Sequence, residues 1–161
     1  MPNYKGHLVG GLAAYGLLYG LLVGVLRPSR FTAFEWLIFT LAGALFPDID
    51  TKSKGQKYFY YGAFLFFVIL AMQEQFHMLT CCSFIIMLPL LVRHRGIFHS
   101  PRFVIAAPLI VWIFVSMVMP RMVHLFFFDT LFFIVGAFSH IWLDFGTSTM
   151  LRRLFIRKNR W

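Results

Sequence analysis

Long apolar runs separated by short polar segments make up most of the chain. The runs cover residues 8–26, 31–46, 58–72, 76–92, 101–119 and 123–143. The first run has no charged residue and, as a helix rising about 1.5 Å per residue, is long enough to cross roughly 30 Å of hydrocarbon. Pro28, Pro47 and Gly146 fall in or after the breaks, where helices end. The pattern predicts an all-α integral membrane protein, a bundle of about six transmembrane helices.

The composition agrees with a location in lipid. Hydrophobic residues make up 60% of the chain and charged residues 13%, with a mean hydropathy of +0.75, whereas soluble domains have about 45–50% apolar residues. We find no linker, repeat or low-complexity segment and expect residues 1–161 to form a single membrane-embedded domain. No cleavage pattern follows the first apolar run, so we expect it to be retained. Cys81 and Cys82 are adjacent in an apolar run and are expected to pack within a helix; a lipidation site is the alternative.

The net charge of +9 indicates orientation and contact with anionic lipid before it indicates nucleic acid, which we do not expect as the main partner. Six spans divide the Lys and Arg residues unequally: only Arg27, Arg30 and Arg121 lie on one side, and the other twelve of the fifteen lie opposite. Because a Lys/Arg excess marks the cytoplasmic side, both termini are predicted to be cytoplasmic.

Four small polar clusters interrupt the apolar pattern. Ionisable residues are costly in a bilayer and are functional candidates there. In the six-span topology all four clusters lie at the cytoplasmic ends of their spans, so we expect a polar metal site at that end. The clusters consist of His7, of Asp48 and Asp50, of His94 and His99, and of His140 and Asp144.

The spacing of the histidines decides how they could meet. His140 and Asp144 are four residues apart on a predicted helix, so their side chains share one face. One helix can in this way give two ligands to a metal ion, or a carboxylate can orient a histidine; a buried hydrogen-bonded pair is the alternative. His94 and His99 are five apart, so they reach one site only if the chain breaks, as Gly96 allows.

Asp48 and Asp50 would point to opposite sides of an extended segment unless the backbone turns there, and solvation of a helix end is the alternative explanation for them. Together with the histidines they form a mixed nitrogen and oxygen donor set, which suits zinc first and also manganese or iron. More than four ligands would allow more than one ion, and two close ions can stabilise a phosphoryl or acyl transition state.

Glycines recur every fourth position in the first run, at Gly16, Gly20 and Gly24. Such a stripe lets a second helix approach closely in a membrane, and it begins roughly opposite the face that contains His7. The alternative is that these glycines only reflect the usual composition of membrane helices.

Four blocks of sequence resemble the YdjM-like family of inner-membrane proteins, which are named as metal-dependent hydrolases. The blocks agree in order and internal spacing from His7 to Thr147. Two departures stand out: Phe98 replaces a hydroxyl residue that is common in the family, and residues 58–92 form an extra hairpin. More faintly, the family is similar to zinc-dependent phospholipase C and P1-type nucleases. The matching blocks are Gly6-His7, Phe46-Pro47-Asp48-Ile49-Asp50, His94-Arg95-Gly96-Ile97-Phe98-His99-Ser100 and residues 139–147.

The resemblance implies a metal-dependent hydrolase in a bacterial inner membrane, acting on a phosphoester in a lipid or lipid-linked substrate from the cytoplasmic leaflet. Arg95 is suited to hold the substrate anion by two-point hydrogen bonds, and Asp50 is assigned a catalytic role as well as a ligand role. The oligomeric state is left open. The implied metal shell is His7, Asp48, Asp50, His94, His99, His140 and Asp144.

Two non-enzymatic classes compete with this prediction. A transporter or metal-binding regulator could use the same cluster as a cation path, since ionisable membrane residues often mark ion routes. The polar residues gather at one end of the spans and none continues the path through the middle, which favours a site that opens at the surface. A structural membrane subunit would need no clustered acids.

Overall fold

The computed structural model describes residues 4–49, 54–74, 76, 79–80, 83, 97–118 and 120–155. These residues contain five long α-helices and no β-strand, which confirms the all-α prediction. Short 3-10 turns at Phe46–Asp48 and Pro120–Met122 follow the second and precede the fifth helix. The helices are α1 (Tyr4–Leu26), α2 (Arg30–Leu45), α3 (Lys54–Met72), α4 (Pro101–Val118) and α5 (Val123–Phe155).

Two of these helices are long and apolar enough to cross a membrane, judged by length and composition alone: Tyr4–Leu26 and Val123–Gly146. Two shorter apolar helices cover Gln56–Met72 and Pro101–Met117. The number of six spans therefore stays a prediction. Most of the predicted fourth span at 76–92, including Cys81 and Cys82, lies outside the described residues.

The helix boundaries follow local signals in the sequence. The Ser29 side chain accepts a hydrogen bond from the Thr32 amide at 3.1 Å and so caps α2. Pro101 is the first residue of α4, as predicted from the preference of proline for that position. Gly146 has a φ of 70° and interrupts the helical path of α5, which confirms its predicted role as a helix breaker.

Helix α5 packs most extensively against α2, and the backbones of the two helices touch where they cross. A Cβ atom on Gly43 would overlap the Phe133 carbonyl group, and one on Gly136 would overlap the Thr40 carbonyl group. Close approach through small residues is a common way of packing helices in a membrane. Val104, Ala137 and Ile141 form the buried apolar core beside this crossing.

Helix α1 uses other glycines for packing than the predicted stripe. Cβ atoms on Gly16, Gly20 and Gly24 would meet nothing within 4 Å among the described residues, so of the two explanations left open for the stripe, packing against another helix is not seen in this part of the chain. A Cβ on Gly10 would lie 2.5 Å from Leu143 Cδ1, and one on Gly11 would lie 2.8 Å from Ala44 Cβ. These two glycines, near His7, bring α1 against α2 and α5.

Candidate metal centre

Five of the predicted donors come together at one end of the bundle. They belong to four separate segments: the start of α1, the 3-10 turn after α2, the turn before α4, and the part of α5 that precedes Gly146. His7 and His140 are 2% and 0% exposed, so the centre of the cluster is shielded from solvent. The five residues are His7, Asp48, His99, His140 and Asp144.

His140 and Asp144 face each other across one turn of α5, as their spacing predicted. His140 Nε2 lies 3.3 Å from Asp144 Oδ2. On the other side of the ring, His140 Nδ1 lies 2.7 Å from the carbonyl oxygen of Ala44. Because a carbonyl oxygen can only accept, Nδ1 has the proton and the lone pair of Nε2 points into the cluster. Backbone carbonyls commonly orient histidine ligands in this way.

His7 reaches the cluster by stacking on His140. The two rings are nearly parallel, with centroids 3.7 Å apart. His7 Nε2 lies 3.6 Å from Asp144 Oδ1, whereas Asp144 Oδ2 faces both His140 and His99, the latter at 3.7 Å. The two oxygens of Asp144 are thus directed at different histidines, which is an arrangement that could link two metal positions.

The 3-10 turn settles the direction of Asp48. Pro47 and Ile49 are buried on either side of it, so the backbone turns and does not continue as an extended segment. Asp48 Oδ1 lies 3.4 Å from His99 Nε2 and 3.8 Å from His140 Nε2. The hydrogen bond with His99 holds the pKa of the Asp48 carboxyl group below its usual value, against the opposing effect of burial.

Phe98 fixes the turn that contains His99. It is 5% exposed, and its ring contacts Phe103 at 5.0 Å and Phe46 at 5.7 Å between centroids. Where the family commonly has a hydroxyl group, this chain therefore has an apolar anchor that donates no hydrogen bond. Packing of the Phe98 ring therefore holds the backbone at the next residue, His99.

Several predicted residues fall outside the part of the chain that the structure describes. These are Asp50, His94 and Arg95, whose ligand and catalytic roles stay predictions. His124, the other histidine of α5, is exposed at the start of that helix and lies away from the cluster. The Ala44 carbonyl was missed, because a backbone acceptor contributed by a distant helix has no signature in the sequence.

The donors fit a divalent metal ion. Two groups, His7 with His140 and Asp144, and Asp48 with His99 and His140, each have ligand atoms within 4.8 Å of one another. The donor separations run from 3.3 to 3.8 Å. The shorter ones match the edge of about 3.3–3.5 Å expected for a tetrahedral zinc site with ligands about 2.0–2.1 Å away, and the longer ones exceed it by a few tenths of an ångström.

Burial supports the same conclusion. His140 Nε2 and Asp144 Oδ1 are buried and have no hydrogen-bond partner, which is unusual for polar atoms in a folded protein. Asp48 and Asp144 together would also place two negative charges in a shielded cluster. A divalent cation would satisfy the donors and neutralise both carboxylates. The mixed nitrogen and oxygen set suits zinc, manganese or iron.

The fold and the cluster define an all-helical protein with a candidate metal centre at one end of its bundle. The chain belongs to the family described as YdjM inner membrane protein, whose model matches residues 1–155. This match confirms the resemblance drawn from the four sequence blocks and supports a location in the inner membrane. No match was found among curated proteins or solved structures.

Proposed function

We propose that this protein is a membrane-embedded, metal-dependent hydrolase that acts on a phosphoester in a lipid or lipid-linked substrate. The observation that supports it is the cluster of three histidines and two aspartates that four separate segments bring together. The proposed partners of the protein are the membrane and the substrate, and zinc is the first candidate metal. The cytoplasmic position of the site and of both termini is part of the proposal and rests on the charge asymmetry of the sequence.

In such a site, some of the described residues would hold the metal ion and others would orient its ligands. His7, Asp48, His99, His140 and Asp144 would hold one or more ions, and Ala44 keeps His140 in the correct tautomer. A divalent ion, when bound, supplies charge stabilisation for a phosphoryl group and makes a nearby water more acidic. Asp50 and Arg95 are proposed as catalytic residues, with Arg95 holding the substrate anion.

Exposed cations surround the end of the bundle that contains the cluster. Lys5, Lys57 and Arg102 lie in the first turns of α1, α3 and α4 and are exposed. The rings of Tyr4 and Tyr58 lie 6.4 Å apart at the same level, where aromatic residues are typical of a membrane interface. A basic and aromatic rim of this kind attracts anionic lipid headgroups, which supports a phosphoester substrate that is presented at the membrane surface.

The interior of α5 favours a hydrolase over a cation path. An ion route would need polar groups that continue from the cluster towards the opposite end of the bundle. Between Asp129 and His140 the described part of α5 has no ionisable residue, and Phe132 and Ala137 are fully buried. The ionisable groups of α5 are therefore interrupted by ten residues between Asp129 and His140.

The test combines metal analysis of the purified protein with assays on phospholipid and polyprenyl-phosphate substrates. We expect His140→Ala and Asp144→Ala to lose metal and hydrolysis together, with affinity falling by more than the about 10–100-fold typical of outer-shell changes. The matched control is His124→Ala, an exposed histidine on the same helix, which should keep both. Circular dichroism would verify that each variant is still helical.

Two results would contradict the proposal. If the His140 and Asp144 variants keep their metal, the cluster is not the metal site. If the wild-type protein binds metal through these residues but hydrolyses none of the phosphoesters, the enzyme proposal fails and a metal-binding regulator takes its place.

A further inference from the structure

A second polar group is buried in the bundle, far from the metal cluster. Asp129 lies on α5 eleven residues before His140, which is about 16 Å along the helix axis. It is 4% exposed, and its Oδ1 atom is buried and has no hydrogen-bond partner. The α2–α5 interface at this level is aromatic, with the Trp36 ring 5.4 Å from Phe128 and 4.7 Å from Phe132.

The charged residues near Asp129 do not neutralise it. Glu35 on α2 is the charged group that acts on it electrostatically, and it has the same sign. None of the ion pairs among the described residues includes Asp129. The basic residues at this end of the bundle are exposed at its rim, namely Arg27, Arg30, Arg121 and His124.

The other helices that pack near this level offer no charge to Asp129. On α1 the titratable residues away from the cluster end are Tyr15 and Tyr19, and the Tyr15 hydroxyl already donates to the Ala33 carbonyl oxygen at 2.9 Å. On α4 the only charged residue, Arg102, lies at the opposite end of the helix, beside the metal cluster. The Asp129 carboxyl group is therefore enclosed by apolar groups and faces one like charge.

The surroundings of the Asp129 carboxyl group decide whether it binds a metal cation or a proton. An ionised carboxylate without a partner in an apolar, membrane-depth environment is strongly disfavoured, and the group becomes neutral instead. Magnesium or calcium would need about six to eight oxygen ligands, whereas the described side chains supply two carboxylates, one of them exposed. A proton needs only one.

We propose that Asp129 is a proton-binding site: its carboxyl group takes up a proton in the folded protein as the pH falls through neutral, and exchanges it past Glu35 with the aqueous phase at the end of the bundle opposite the His/Asp cluster. Loss of this proton leaves a negative charge in the α2–α5 interface. The folded state binds the proton more tightly than the unfolded state, so folding stability falls as the pH rises. This proposal does not depend on the proposed hydrolase activity.

Infrared spectroscopy of the purified protein in detergent tests the proposal directly, because a protonated carboxyl group has its own carbonyl band. The wild-type protein should show this band at neutral pH and lose it as the pH is raised. Asp129→Asn should lack it. Glu35→Gln should keep the band but lose it at a lower pH, because removal of the neighbouring negative charge makes ionisation easier. Glu74→Gln, at an exposed acid after α3, is the matched control and should leave the titration unchanged.

The proposal is wrong if the wild-type protein has no protonated carboxyl band at neutral pH, a result that requires no variant to fold. It is also wrong if the band persists in Asp129→Asn or if Glu35→Gln leaves the titration where it was. A complementary measurement is thermal unfolding across the same pH range. The decline in midpoint with rising pH should be smaller in Asp129→Asn than in the wild type, and equal declines would overturn the proposal.

Discussion

Replacing Gly136 by alanine should separate the two helices on which the His/Asp cluster depends. The new Cβ atom would overlap the Thr40 carbonyl group of α2. Both partners are backbone, so neither can move aside by changing a rotamer, and α2 and α5 must shift apart. Overpacking in a well-packed core costs about 1–3 kcal/mol. Alanine is also more favourable than glycine in a helix interior by about 0.8–1.0 kcal/mol. This gain opposes the cost of the clash, so the clash must be measured against a variant that has the same gain.

Gly62→Ala is the control that corrects for the helix propensity of alanine. Gly62 is also in a helix interior, and a Cβ atom there would meet nothing within 4 Å. The propensity gain is common to the two variants, so the difference between them isolates the clash at the α2–α5 crossing. We expect Gly136→Ala to be less stable than Gly62→Ala by about 1–3 kcal/mol, measured by reversible unfolding in mixed detergent and denaturant.

The same substitution should weaken metal binding. The helices are joined near the crossing by the hydrogen bond from His140 Nδ1 to the Ala44 carbonyl oxygen, and a shift of α2 would lengthen it. Loss of such an orienting contact typically lowers metal affinity by about 10–100-fold, which a competitive metal titration would detect. If Gly136→Ala is as stable as Gly62→Ala and binds metal equally well, the two backbones do not cross as closely as described.

Three further predictions concern topology, substrate and metal. In a background without Cys81 and Cys82, a cysteine replacing Ser29 should react with an impermeant thiol reagent in intact cells and one replacing Lys57 should not; labelling of both would contradict the proposed orientation. Arg95→Lys keeps the charge but loses the planar two-point grip, so hydrolysis should fall by about 1.5–3 kcal/mol of transition-state stabilisation while metal content stays near normal; loss of metal would remove its role as substrate clamp. Zinc at about 100 times its Kd should stabilise the protein by about 2.7 kcal/mol against unfolding, and a chelator should reverse this; a chelator without effect would contradict a metal bound in the folded state.

The parts of the site that depend on local geometry could be predicted from the sequence. His140 and Asp144 share a helix face because four residues are close to one turn, and the structure places their nearest side-chain atoms 3.3 Å apart. The start of α4 at Pro101 and the break at Gly146 likewise follow from the intrinsic preferences of proline and glycine. None of these features requires knowledge of another segment.

The parts of the site that depend on tertiary contacts could not be predicted from the sequence. The sequence left the direction of Asp48 open, because it depends on a 3-10 turn stabilised by the burial of Pro47 and Ile49. It left open whether the glycine stripe of α1 packs against another helix, and among the described residues the helix packs at Gly10 and Gly11 instead. A stripe shows where close approach is sterically possible, but only the surface of the partner helix decides where it occurs.

Asp129 illustrates the same limit for an isolated group. In the sequence it is one acid near the start of an apolar run, close enough to a predicted interface to be solvated. Whether Asp129 is solvated or buried depends on the face of α5 that it occupies. In the structure it is buried, and Glu35 of α2 is close enough to act on it electrostatically. A single ionisable residue inside a predicted span is the available signal, since such residues usually face the interior of a bundle.

Close crossing of α2 and α5 explains how an apolar bundle can position a polar cluster. Helices in lipid gain little from hydrophobic burial against each other, so association relies on contact between small residues and on hydrogen bonds. Here both devices act within a short stretch: Gly43 and Gly136 allow backbone contact, and the next residue along α2, Ala44, offers its carbonyl oxygen to His140. The contact that joins the helices thus also fixes the ring that belongs to both candidate ligand groups. A change at the crossing is therefore expected to reach the candidate metal centre even though neither glycine is one of its donors.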